Sequence, residues 1–356
     1  MAEYTYDLGI ARSRALALKE ALPTATILYA VKANGHPAVV RALADVCDGL
    51  DVASEGELAL AVQAGARRIV CSGPGKTEAF LNAAVSAGAT INVESLTELR
   101  RLPARARIAL RVNRSVKLPG SHRMTGPTQF GISDDMLGPA VALAQSLPDV
   151  DLVGWHLHAV SNCLSEGDYN DFIATSLDWA LEKATSFGVD LRQINLGGGF
   201  GVSYVTDEIF DPSLLRVDAP HGVEVIFEPG RWLVADAGAY SAEVIDLKQS
   251  HGRWFAVLRG GMHHFRLPVA YGQSFPFTIS RREDWPHSWP RPTVRDVLID
   301  VAGELCTPTD VLARDQHVDE LRVGDVLVFG KAGAYGWDIS PHQYLRHPSP
   351  QFVILS

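Results

Sequence analysis

The chain has 356 residues, 47% of them hydrophobic, and a formal net charge of -9 with a pI near 5.7. That length and apolar content can bury a large core and would commonly divide into two domains. The acidic balance, with no cluster of lysine or arginine, argues against nucleic acid or an anionic membrane surface as partner and favours small molecules.

The cysteines, Cys47, Cys71, Cys163 and Cys306, are scattered without CxxC spacing. Neither a disulfide framework nor a metal site is expected, and a reducing cytoplasm fits. The first eight residues hold no apolar signal region, and no later stretch reaches spanning length without charges, so secretion and membrane insertion are not expected.

In chain order, short apolar runs predict strands over 26–33, 50–53, 68–72, 90–93, 108–112, 152–158, 193–196 and 223–227. Alanine- and leucine-rich segments between them predict helices over 38–46, 55–64, 78–87, 136–147 and 169–187. Eight alternating units predict an α/β fold, a closed (β/α)8 TIM barrel. After about residue 239 strands follow without helices, over 243–247, 254–258, 293–301 and 326–329, which predicts a C-terminal antiparallel β domain. The expected map is an arm over 1–24 packing on the β domain, the barrel over 25–240 and the β domain over 241–356.

The chemically suggestive residues fall at predicted strand C-termini, the face on which barrels carry chemistry. Lys32 ends the first strand, Asp51 and Ser54 the second, Arg111 the fifth and His158 the sixth; Gly197-Gly198-Gly199 follows the seventh and Glu228 the eighth. A lysine amine can form an imine with the aldehyde of pyridoxal phosphate, and a carboxylate can hold its ring nitrogen protonated. Lys32 and Glu228 suit those two poles. The glycine run and Gly230-Arg231 can offer backbone N–H groups and a guanidinium to a phosphate, with hydroxyls from Ser161 and Tyr335. His156 and His158 point the same way along their strand, one as barrel filling and the other as an imidazole stacked on a pyridine ring.

These motifs resemble the alanine-racemase-like pyridoxal-phosphate enzymes, and among them the ornithine and diaminopimelate decarboxylases. Tyr29-Ala30-Val31-Lys32 is similar to the Schiff-base motif, Asp51-Val52-Ala53-Ser54 to the second-strand motif, and His158-Ala159-Val160-Ser161 to the segment that stacks a histidine and binds phosphate. Gly197 to Gly199, Glu228-Pro229-Gly230-Arg231 and Gly333-Ala334-Tyr335 complete the match, which covers nearly the whole chain. The resemblance implies pyridoxal 5'-phosphate as cofactor and a head-to-tail homodimer with shared active sites. It also implies that Cys306, in Gly303-Glu304-Leu305-Cys306-Thr307-Pro308-Thr309-Asp310, donates the proton that replaces the lost carboxylate, with Asp310 meeting the substrate's side chain. Glu228 stands where alanine racemases place an arginine, which favours decarboxylation.

Departures from the pattern bear on substrate. Thr307 follows the cysteine where ornithine and diaminopimelate decarboxylases commonly carry an acid for a distal ammonium. Val160 replaces a glycine, Gln129 stands where lysine is common, and Glu304 replaces a proline. The arm before Lys32 is short, so the second domain is expected to lack a strand. Together with Gly260-Gly261-Met262-His263-His264-Phe265-Arg266-Leu267-Pro268, these features resemble the branch that decarboxylates conjugated amino acids in siderophore and antibiotic pathways. The expected substrate is a citryl-diamino acid or similar intermediate, with Arg266, His263 and His264 meeting its carboxylates. A free diaminopimelate, ornithine or lysine decarboxylase, an amino-acid racemase and a non-catalytic pyridoxal-phosphate binder are the competing readings.

Overall fold

After a first strand, β1 (Glu3–Asp7), and a helix, α1 (Leu8–Ala21), the eight expected barrel strands follow close to their expected places. They are β2 (Thr26–Ala30), β3 (Gly49–Val52), β4 (Ile69–Cys71), β5 (Thr90–Val93), β6 (Ala106–Asn113), β7 (Val150–His156), β8 (Gln193–Gly197) and β9 (Glu224–Phe227). Each pairs in parallel with the next, and β9 closes on β2 through Ile226 opposite Thr26 and Phe227 opposite Ile27. Helices cover such strands outside and the barrel core fills them inside. Strands buried on both faces read as continuous apolar runs rather than alternations, and β3, β4 and β5 are buried at every residue.

This computed structural model describes residues 2–114, 122, 123 and 125–356. Two compact units emerge: the barrel, 11–202 with 208–233, and a β unit made of 1–10, 203–207 and 234–356. Only the first ten residues of the expected 1–24 arm therefore sort with the β unit, because α1 continues into the barrel unit.

Local signals explain most helix boundaries. Helix α2 (Pro37–Val46) starts with proline at its first position behind the cap His36, where the missing N–H costs nothing. Ser54 caps α3 (Glu55–Gln63), its hydroxyl accepting from Glu57 N at 3.2 Å, so this residue starts a helix. Helices α4 (Glu78–Ser86), α5 (Leu96–Arg100), α6 (Leu137–Ser146) and α7 (Glu166–Phe187) follow. The last begins three residues before its expected start because Ser165 caps it, and it ends on left-handed Gly188.

In the β unit, β10 (Gly238–Ser250), β11 (Arg253–Leu258), β12 (Phe277–Ser280), β13 (Thr293–Ala302), β14 (Val311–Arg322), β15 (Val326–Phe329) and β16 (Gln351–Leu355) join β1. Their order is β12-β15-β10-β11-β13-β14, with β1 between β10 and β16. The sheet is mixed rather than wholly antiparallel: β11 runs parallel to β13 and β1 parallel to β16. The short arm still supplies a strand, since β1 aligns Tyr4 with Tyr240 and with Phe352. Among the described residues no helix is long and apolar enough to cross a membrane.

Candidate functional site

Register, not only chain order, gathers the barrel residues. Arg111, His156 and Asn195 are register partners across β6, β7 and β8, and Ala30 is opposite Asp51 across β2 and β3. Partners in a parallel sheet share a face, so these side chains meet at the C-terminal end of the barrel.

Lys32 does not extend β2. It lies on a single 3-10 turn of Val31 to Ala33, closed by Asn34 N donating to Val31 O at 3.0 Å and by Tyr29 Oη donating to Asn34 O at 2.9 Å. Its ammonium is partly exposed and donates to Asp51 Oδ2 at 3.0 Å. Burial pushes the Asp51 carboxyl up, with Glu228 adding to the rise and Lys32 opposing it.

Glu228 is buried at the end of β9. Asn195 Nδ2 donates to its Oε1 at 2.6 Å, and His156 Nε2 lies 3.3 Å from its Oε2. Burial alone would raise its pKa, but His156, Lys32 and Asn195 outweigh burial and bring it down to about 2. The site thus holds a buried carboxylate whose neighbours favour the ionised form. His156 contacts this carboxylate rather than merely filling the barrel.

Arg111 donates to Glu94 Oε1 at 2.8 Å and lies 4.6 Å over the ring of Phe130. Glu94 also accepts from the backbone N–H groups of Gly73 and Gly131, both at 2.9 Å. It fixes two loops and Arg111 together. Sequence reasoning passed over Glu94 and Asn195; the available signals were an acid directly after β5 and an amide two residues before the glycine run.

His158 lies just beyond β7, and its Nδ1 accepts from Gly198 N at 3.0 Å. A neutral imidazole accepting there carries its proton on Nε2. Burial, followed by Arg111 and Lys32, holds its pKa well below the usual histidine value, so the ring stays neutral.

The glycine run is required by close approach as well as by any ligand. At Gly197, φ is +72°, and a Cβ would lie 2.2 Å from His158 Nδ1. A Cβ on Gly198 would lie 2.2 Å from Glu228 O. The run is tied to its neighbours by Glu228 N donating to Gly197 O and Cys163 N to Gly199 O, both at 2.8 Å. Gly230 passes so near the Lys32 turn that a Cβ would be 2.8 Å from Ala33 Cβ. Arg231 begins the short helix α8 (Arg231–Val234), and Ser161 pairs through its backbone with His122. A pyridine ring with a phosphate fits this donor set: a buried anion at one end, a side-chain-free glycine loop beside it, and an amine within the same cluster.

The remaining expected site residues belong to the β unit. Cys306 is exposed on the loop joining β13 and β14, beside Thr307, and Arg266 is exposed ahead of the helix α9 (Leu267–Tyr271). Tyr335 adopts a left-handed conformation, φ +54°, after Gly333-Ala334. Two expected substrate contacts are engaged internally. Asp310 is 2% exposed, with Oδ1 accepting from Met262 N at 2.6 Å and Oδ2 from Leu305 N at 3.0 Å. His264 is 3% exposed, with Nε2 2.9 Å from Pro348 O and Nδ1 3.3 Å from Tyr240 Oη. Their polar atoms brace the loops around Cys306.

Residues 8–235 match the family described as "Pyridoxal-dependent decarboxylase, pyridoxal binding domain". The 2-[(L-alanin-3-ylcarbamoyl)methyl]-2-hydroxybutanedioate decarboxylase of Staphylococcus aureus is 38% identical, over 99% of this chain and 94% of its own length. The L-glutamyl-[BtrI acyl-carrier protein] decarboxylase of Niallia circulans is 32% identical, over 98% and 87%. The crystal structure of diaminopimelate decarboxylase from Helicobacter pylori complexed with L-lysine superposes with a TM-score of 0.87 at 27% identity, over 100% of this chain and 92% of that one. With the buried carboxylate, the lysine turn and the glycine loop on one barrel face, these matches show that the chain belongs to the pyridoxal-dependent decarboxylase family, carboxy-lyases that use pyridoxal 5'-phosphate.

Proposed function

We propose that the protein decarboxylates an L-amino-acid head whose side chain is joined through an amide to a hydroxydicarboxylate, a citryl-diamino acid or close analogue, in siderophore or other secondary-metabolite biosynthesis. The observation that carries this reading is Thr307, a neutral residue directly after Cys306 where an acid would serve a free distal ammonium. The substrate named for the S. aureus relative has this conjugated chemistry. Arg266, exposed in the same unit, supplies a guanidinium suited to a carboxylate.

When bound, pyridoxal phosphate supplies the electron sink that lets the carboxylate depart as carbon dioxide. Lys32 is the amine that would hold the cofactor. Glu228, backed by Asn195 and His156, would hold the ring nitrogen protonated. His158 would lie against the ring, Ser161, Gly198, Gly199, Gly230, Arg231 and Tyr335 would hold the phosphate, and Arg111 and Asp51 would line the site. Cys306 gives its proton to the carbon that lost carbon dioxide, delivered from the partner of a head-to-tail homodimer working in the cytoplasm.

Carbon dioxide release from a panel of free and citrate-conjugated L-diamino acids tests this. Turnover of the conjugate with little from free diaminopimelate, ornithine or lysine is expected. Faster turnover of a free diamino acid would replace this reading with the one favoured by the likeness to the H. pylori enzyme.

A further inference from the structure

The loop before α9, the Cys306 loop and the segment before β16 converge within the β unit on three side chains that the decarboxylation chemistry does not use. His263 is fully buried, and neither ring nitrogen has a hydrogen-bond partner. A buried polar group left unsatisfied is costly. Its Nε2 points at Glu304, 3.5 Å from Oε1, while the other oxygen of that carboxylate lies 3.6 Å from His347 Nδ1. The three donor atoms all lie within 4.8 Å of one another.

These separations are long for hydrogen bonds and close to those of a coordination shell. An ion holding ligands at roughly 2.1 Å in tetrahedral array spaces them about 3.4 Å apart. Two imidazoles and one carboxylate form the donor set preferred by zinc and related divalent ions, with a position left open. Glu304 and His347 keep 18% and 27% side-chain exposure, which leaves an entry path. His264 packs on His263 with ring centroids 3.9 Å apart and is itself anchored at Pro348 O, which fixes the plane of its neighbour.

We infer that His263, Glu304 and His347 form a binding site for a divalent transition-metal ion of the zinc class. The ion staples together the 259–266 loop, the loop that carries Cys306 two residues after Glu304, and the chain leading into β16. The donor set, not the decarboxylase assignment, carries this inference, so it stands or falls separately from the substrate.

The test uses the cofactor-loaded full chain, stripped with a chelator and titrated with cobalt(II) by visible absorption and with zinc(II) by equilibrium dialysis and thermal melting. One equivalent per chain, ligand-field bands in the visible and a zinc-dependent rise in melting temperature are expected. His347→Gln, altered on the accessible side, should fold and weaken zinc by more than about 100-fold, because even outer-shell losses cost roughly 10–100-fold. Glu304→Gln should behave alike, and His317→Gln, a surface histidine, should bind as wild type does. Absence of stoichiometric binding in the wild type, or binding that His347→Gln and Glu304→Gln leave unchanged, would overturn the inference.

Discussion

Replacing Glu228 by glutamine keeps the shape of the side chain and removes its charge. In the wild type, burial opposes ionisation, yet His156 at 3.3 Å, Lys32 and the amide of Asn195 at 2.6 Å bring the carboxyl from 4.5 to about 2. The net result is a preference for the anion over the protonated acid. If the anion holds a proton on the cofactor's ring nitrogen, its loss removes a preorganised charge of the kind that contributes about 10²–10³ in kcat. Glu228→Gln should therefore lose about 10²–10³ in kcat for carbon dioxide release while still binding cofactor. Asn195→Ala, which removes one charge-assisted hydrogen bond worth about 1.5–3 kcal/mol, should fall in the same direction. The folded pKa lies below the unfolded one, so this group stabilises the fold above about pH 4.5 and the contribution disappears as pH falls toward about 2. Acid unfolding of Glu228→Gln should accordingly be less steep across that window. A glutamine variant with full cofactor content and kcat within about threefold of wild type would refute the assigned role.

Gly197→Ala should place a methyl against the His158 ring and strain a left-handed backbone, costing about 1–3 kcal/mol, with weaker cofactor binding by spectroscopic titration; wild-type binding would remove the steric argument. Asp310→Ala leaves two backbone donors orphaned at roughly 1–3 kcal/mol each. Denaturant unfolding should detect that loss, whereas unchanged stability with a raised KM would restore Asp310 as a substrate contact. Because His158 titrates lower folded than unfolded, its contribution to stability is present above about pH 6.5 and declines as pH falls. Stability of His158→Gln should decline less between about pH 7 and 5 than that of wild type, and equal slopes would contradict a buried neutral ring. Lys76→Met breaks a buried pair, Lys76 Nζ to Glu98 Oε1 at 2.9 Å with both side chains 1% exposed. It should cost about 3–5 kcal/mol in chemical denaturation, and a loss below about 1 kcal/mol would mean that Glu98 takes up a proton at little cost.

The barrel was legible because strands buried on both faces leave continuous apolar runs, and the helices between them carry caps that can be read locally. Lys32, Glu228 and the glycine run could be placed from strand ends alone. Strand β14 escaped because Asp315, Gln316, Asp319 and Glu320 break its apolar alternation, leaving a half-exposed strand that reads as polar sequence. Strands β1, β12 and β16 are short, and the partners that define β1 lie more than two hundred residues away. Asn195 acquires its role through cross-strand register and Glu94 through partners 17 to 37 residues away, neither of which local sequence encodes. The internal bonds of Asp310 and His264 are illegible for a related reason: a polar side chain in a motif looks the same whether it faces a ligand or satisfies neighbouring backbone.

The pairing of Glu3 with Gln351 also imposes an order on synthesis. These partners are 351 minus 3, or 348, residues apart, so at about 5–20 residues per second the first strand waits roughly 20–70 s for its parallel neighbour. Both rims of β1 are unpaired until Gly238 to Ser241 are made, and from then until residue 351 one rim still presents unsatisfied N–H and C=O groups. Such a rim is a template for pairing with another nascent copy. Factors that cover this rim during synthesis would therefore limit pairing between nascent copies.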